Sequence, residues 1–165
     1  MTIATLGIIT REYGHNREQV LLGLKRGNPK IGKGKLNGPG GKKKEIDRTI
    51  LDCLWREVDE EVGIQLDLSM VRKCAVVTFW ADGVPFQEVH VYRATRWEGE
   101  PHETESMTPY WYDSAELPLE RMHTSDRMWF PQLVKGEKFC TNVYYREPGE
   151  GFIGIGPLFP FTDHD

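Results

Sequence analysis

Little in this chain suggests a secreted, membrane-bound or DNA-bound protein. Only three cysteines occur in 165 residues, Cys53, Cys74 and Cys140. Odd in number and widely spaced, they make neither a disulfide framework nor a zinc motif, so a reducing, cytoplasmic location is expected. No apolar run is long enough for a membrane span, and the opening MTIATLGIIT lacks the basic flank of a signal peptide. Excess positive charge is missing as well. The formal net charge of −4 gives no electrostatic case for duplex nucleic acid or a membrane as partner. Internal repeats and interdomain linkers are absent, and nothing in the sequence sets an oligomeric state. What remains, 39% hydrophobic and 28% charged residues, suffices for one domain with a single sizeable core.

TLGIIT (5–10) and QVLLGLKR (19–26) read as two strands joined by a turn. Residues 27–43 are crowded with glycine, proline, asparagine and lysine and predict a long basic loop. Composition alone supports a solvated loop as readily as a functional one. From Asp47 to Val62 the pattern turns helical: Leu51, Leu54, Val58 and Val62 form one apolar stripe, with Asp47 as N-cap and Gly63 as left-handed C-cap. Strands follow over 72–82 and 87–99, a short one over 110–117, and another over 138–147. A second helix is expected within 125–136, with Pro131 tolerable only near its start. The glycine- and phenylalanine-rich tail receives no role. Strands and two helices in mixed order point to an α/β or α+β domain.

The helix carries Glu57, Glu60 and Glu61 within an arc of roughly 100°. Like charges three and four residues apart destabilise an isolated helix by a few tenths of a kcal/mol each. A solvated acidic face beside Arg56 and the lysines is the plainer explanation. The sharper one is a divalent-cation site, since hard ions such as Mg²⁺ take carboxylate oxygens together with substrate phosphates. A basic glycine loop just upstream suits a phosphate chain, and the pairing of acidic turn with basic loop favours phosphate chemistry.

GGKKKEIDRTILDCLWREVDEEVGI (40–64) resembles the Nudix box. Arg56, Glu57, Val58, Glu60, Glu61, Gly63 and Ile64 match its second half. One residue is inserted in the first half, so Arg48 stands where the family has a glutamate that braces the arginine, with Asp47 and Glu45 as nearby substitutes. QVLLGLKRG, GKLNGPGGK, EVHVYRA, MTPYWYD and MWFPQLVKGEKF are similar to stretches of the MutT-homologue class of oxidised-purine nucleoside triphosphate diphosphatases. The resemblance implies a Nudix α/β/α sandwich with a central mixed sheet over residues 1–147, followed by a tail, 148–165.

Carried over by position, it implies Mg²⁺, or Mn²⁺, held by Glu57, Glu60, Glu61 and the Gly41 carbonyl. Glu105 becomes a further ligand or base. Lys25 would face phosphate, and Asn37 and Asp126 the purine edge. Thr5 and Trp80 would form pocket walls, with Trp129 beside them. His123 stands where the class has a stacking tryptophan, and Ser125 where it has the first of two aspartates. The implied reaction is hydrolysis of an oxidised purine nucleoside triphosphate, such as 8-oxo-dGTP, to monophosphate and pyrophosphate, which sanitises the nucleotide pool. Hydrolysis of another nucleoside diphosphate derivative, or nucleotide sensing without catalysis, stands as the alternative.

Overall fold

Alternating apolar residues in TIATLGIITRE make strand β1 (Thr2–Glu12), with Leu6 and Ile8 on one face of the sheet and Ile9 on the other. β1 pairs antiparallel with β2 (Glu18–Lys25). Its other edge lies parallel to β6 (Val84–Ala94), Thr5 opposite His90. β6 returns from β5 (Arg72–Ala81) through a tight turn in which Asp82 and Gly83 both take positive φ, 48° and 74°. β5 in turn lies parallel to β9 (Phe139–Glu147). β2 also carries the short β3 (Leu36–Asn37) and the longer β8 (Met107–Asp113). A separate two-stranded ribbon joins β4 (Gln65–Leu66) to β7 (Trp97–Glu98). The computed structural model describes residues 1–26 and 34–161. The first part of the glycine loop, 27–33, and positions 162–165 lie outside the described residues, with the expectations placed on them.

Helices cover both faces of the mixed sheet, giving the α/β sandwich that the resemblance implied. Helix α1 (Ile50–Val62) buries Leu54, Val58 and Val62 against Ile9, Leu21, Tyr92 and Met107. Helix α2 (Asp126–Val134) buries Trp129, Phe130 and Leu133 against Leu6, Ile8, Val77 and Val91 on the opposite face. At ~25 cal/mol per Å² of apolar surface, such fully covered side chains contribute about 1.5–3 kcal/mol each before entropy is counted.

Three sequence expectations change here. The cap of α1 is Thr49, not Asp47: the Thr49 hydroxyl accepts from the Asp52 amide at 3.0 Å, and the Asp52 carboxylate accepts from the Thr49 amide at 3.1 Å. This is a reciprocal capping box, and it frees Asp47 for another task. Pro131 sits well inside α2 rather than at its start. The backbone begins to wind before Asp126, with the Arg127 amide donating to the His123 carbonyl at 3.2 Å. Core packing of Trp129, Phe130 and Leu133 offsets the hydrogen bond that proline cannot make. Finally, the tail extends the sheet. β10 (Glu150–Ile155) and β11 (Phe159–Pro160) both pair with β9, and Phe152, Ile155 and Leu158 pack on the core.

Candidate functional site

Asp47 and Arg56 determine how the basic loop meets the helix. Arg56 Nε and one terminal nitrogen grip the two Asp47 oxygens at 2.8 and 2.7 Å, and Asp47 also accepts from the Lys44 amide at 2.8 Å. Asp47 is buried, and the guanidinium beside it holds its carboxyl below the usual carboxylate range. The role lost with the family's glutamate thus passes to the aspartate beside the insertion. The same guanidinium donates to the Lys42 carbonyl at 3.3 Å, to Glu57 at 2.9 Å and to Glu60 at 3.3 Å. One arginine therefore ties the loop, the brace and two of the three glutamates together.

Glycine is required where the loop crosses the helix. A Cβ on Gly41 would lie 2.6 Å from the Glu57 carboxylate. The third glutamate, Glu61, is buried and accepts from the Gly40 amide at 2.9 Å. Burial first, then repulsion from Glu57 and Glu60, raises its pKa to about 7 despite the nearby Lys25 charge and the Gly40 hydrogen bond. A carboxylate so disfavoured in its ionised form is suited to a cation that restores the balance.

A hard divalent ion calls for oxygen donors that face one space. Glu57, Glu60 and Glu61 line one cleft with Gly40 and Gly41. Among the described residues no three carboxylates or other ligating side chains converge into a closed metal cluster. The reason is visible in the two glutamates turned onto Arg56. All three groups offer hard oxygens to one cleft, and Glu57 and Glu60 are engaged there by the Arg56 side chain, so the donor set fits a hard divalent ion. The Gly41 carbonyl does not. It accepts from the Thr5 amide at 2.9 Å and faces the Thr5 hydroxyl at 3.4 Å and the Cys53 thiol at 3.5 Å. The expected ligand role for this carbonyl is therefore corrected, because extended backbone alternates its carbonyls and that of Gly41 turns onto β1. The Gly40 carbonyl, one step earlier, has no hydrogen-bond partner among the described residues.

From the acidic turn a cleft of about 670 Å³ runs to the other end of the sheet. Lys25, Arg26, Lys35 and Lys42 reach it from the loop side, and Glu105 and Ser106 from the segment before β8. That segment is fastened to α1: the Thr104 hydroxyl donates to the Glu61 carbonyl at 2.7 Å, and the His102 amide to the Val62 carbonyl at 3.0 Å. Gly63, at φ 74°, leaves the room that the His102 ring occupies. Glu103 points elsewhere, onto Arg26 at 2.8 Å.

At the far end, a bridge between Leu36 and Met122 brings β3 beside the segment that opens α2. Asn37, His123, Ser125, Asp126 and Trp129 meet there. Asn37 Oδ1 accepts from the Gly38 amide at 2.9 Å, which leaves its NH₂ for a ligand. Ser125 and Asp126 are buried. Burial pushes the Asp126 carboxyl up to about 7, against the opposing hydrogen bond from Ser125. His123 is shifted downward, by burial and then by the charges of Lys35 and Lys25.

Of the two expected wall residues, one differs. Thr5 lines the cleft, but its hydroxyl is engaged by the Gly41 loop. Trp80 lies outside: the pleat sends it to the opposite face, where its indole N–H donates to Asn142 at 2.8 Å. Phe79, with Phe86 and Tyr145, takes the wall instead. Strand alternation through KCAVVTFWAD was the signal for Phe79. An open groove of about 1220 Å³ flanked by Arg11, Asp67 and Arg96 contains none of the sequence-assigned residues. Among the described residues no helix is long and apolar enough to cross a membrane.

A family model described as NUDIX domain matches residues 2–133. The oxidized purine nucleoside triphosphate hydrolase of Danio rerio is 36% identical over 136 residues, covering 82% of this chain and 83% of the relative. The protein of the same name from Mus musculus is 34% identical over 131 residues, covering 79% and 81%. Among solved structures, the MutT protein of Bacillus halodurans superposes with a TM-score of 0.73 at 23% identity, covering 96% of this chain and 97% of that one. The braced glutamate helix thus sits in the fold these proteins share, and the chain belongs to the Nudix family and is a Nudix hydrolase.

Proposed function

We propose that this protein hydrolyses oxidised purine nucleoside triphosphates, of which 8-oxo-dGTP is the type, to the monophosphate and pyrophosphate with Mg²⁺. The observation that carries the reading is the continuity of one cleft, from three glutamates to a buried serine–aspartate pair with an asparagine and aromatic rings around it. The names of the Danio rerio and Mus musculus relatives support the same substrate class.

The triphosphate lies along the cleft with its charge facing Lys25, Arg26, Lys35 and Lys42. Phosphoryl transfer asks a protein mainly for position and for neutralisation of charge. Glu57, Glu60 and Glu61 would hold Mg²⁺ or Mn²⁺, which would supply positive charge against the phosphates and lower the pKa of water. Glu60 or Glu105 takes the water proton as the oxygen attacks phosphorus and pyrophosphate departs. At the other end, the Asn37 NH₂ and the Asp126 carboxyl meet the base edge, while Phe79, His123 and Trp129 flank its plane.

The test is incubation with Mg²⁺ and a panel of ordinary and oxidised purine triphosphates, scoring pyrophosphate and monophosphate beside Glu61→Gln. Preferential turnover of an oxidised purine, reduced at least 100-fold in the variant, is expected. Absence of pyrophosphate from every triphosphate would overturn the reading and move the search to linked diphosphates.

A further inference from the structure

The hydroxyl of Tyr145 donates to Ser125 Oγ at 2.9 Å, and Ser125 Oγ lies 3.4 Å from Asp126 Oδ1 with its own proton directed there. All three side chains border the cleft. Ser125 and Asp126 are 1% and 5% exposed, so neither exchanges these partners freely for bulk water. The Tyr145 ring is held between Phe79, stacked at 6.4 Å between centroids, and Phe152 of β10, edge-on at 5.7 Å. Phe152 belongs to the tail segment to which the sequence assigned no role.

A serine hydroxyl has one hydrogen and two lone pairs. Here one lone pair accepts from Tyr145 at 2.9 Å, and that short bond turns the hydrogen toward Asp126, a 3.4 Å contact too long to hold the rotor by itself. The remaining lone pair makes Ser125 an acceptor toward anything in the cleft. Without the tyrosine hydroxyl, the serine rotor would turn and present either a donor or an acceptor. We propose that Tyr145 is a positioning residue for base recognition, fixing Ser125 as an acceptor that selects a nucleobase edge carrying an N–H donor, with Phe152 of the tail strand holding the tyrosine in place.

The inference rests on the proposed reading of the cleft as a nucleotide site, and it reaches beyond it by assigning selectivity to Tyr145 and β10. It also explains why a serine is workable at this position: a fixed hydroxyl offers one defined bonding pattern, whereas a free one offers two. An unpaired or mispaired polar group at a buried edge is what makes such a site discriminate between ligands.

Tyr145→Phe keeps the ring and both aromatic contacts, so it removes the hydroxyl alone. It should be compared with Ser125→Ala and with the double variant. Two readouts are needed: kcat/KM for each triphosphate of the panel, and calorimetric Kd for nucleoside monophosphates bearing guanine, 8-oxoguanine, adenine and 2-oxoadenine. In Tyr145→Phe the ratio between the best and the worst base should fall about tenfold, through KM for the preferred base rather than through kcat. In the Ser125→Ala background, Tyr145→Phe should change the ratio no further, because the tyrosine acts through the serine. An unchanged ratio in Tyr145→Phe overturns the inference, as does equal loss in both backgrounds or a wild-type protein that binds all four bases alike. Selective monophosphate binding that weakens in Tyr145→Phe, alongside no turnover of any triphosphate, would overturn the proposed reaction and leave the inference standing.

Discussion

Glu61 illustrates a conflict between folding and chemistry at a single residue. Its carboxyl is raised from 4.5 to about 7 by burial, so the folded state holds a proton that the unfolded state releases. Stability from this group is therefore complete below pH 4.5 and declines as pH climbs towards 7. Glu61→Gln keeps the oxygen that accepts from Gly40 and removes the charge. In metal-free buffer the variant should match the wild type near pH 4 and exceed it by about 2–3 kcal/mol at pH 8, from chemical denaturation curves. The variant gains stability while it loses activity. Added Mg²⁺ should raise the melting temperature of the wild type and leave that of the variant nearly unchanged. At this scale helical spacing was enough to bring the three glutamates to one cleft. Trp80 and the Gly41 carbonyl were misplaced because orientation, set by the pleat and by carbonyl alternation, does not show in residue identity.

The unit that matters at the next scale is the loop, brace and helix running from Gly40 to Gly63. Its capping box and left-handed C-cap give α1 sharp ends, and Asp47 with Arg56 anchors the loop to its middle. The Asp47 carboxylate is depressed, so its contribution is complete above the unfolded value of 3.8 and is lost only as pH falls below that. Asp47→Asn leaves the half-buried Arg56 without its main counter-charge. A loss of about 3 kcal/mol at pH 7 is expected, shrinking in strong acid, with a weaker affinity for divalent cations as Arg56 turns fully onto Glu57 and Glu60. Denaturation at pH 7 with and without Mg²⁺ checks both. The sequence located this helix through its apolar stripe but chose the wrong cap. Asp47 and Thr49 are both good capping types, and only the three-residue offset to Asp52 distinguishes them. Helix α2 was legible as a helix, yet its proline was not, because the turn that winds ahead of Asp126 is set by core packing around Trp129 and Phe130.

For the whole molecule, the sheet assembles a cleft from segments distant in sequence: the acidic turn comes from 57–61, and the buried serine–aspartate pair from 125–126. Residues from β10 onward contribute to that assembly. A chain shortened to end at Gly149 should be destabilised by about 2–3 kcal/mol through the loss of Phe152, Ile155 and Leu158 from the core. Hydrogen exchange should show the loss first along β9, with the amides of α1 protected longest. Such pairings were not readable from local pattern, which locates strands without naming their neighbours. Parallel pairing has one more consequence, for synthesis. β1 lies against residues 87–94 and β5 against residues 139–145. At roughly 5–20 residues per second, a ribosome takes several seconds to supply the second partner of β1 and several more to supply that of β5. During that interval the nascent chain holds its glutamate helix without the far end of its cleft, and apolar strand edges wait uncovered for neighbours still to be made.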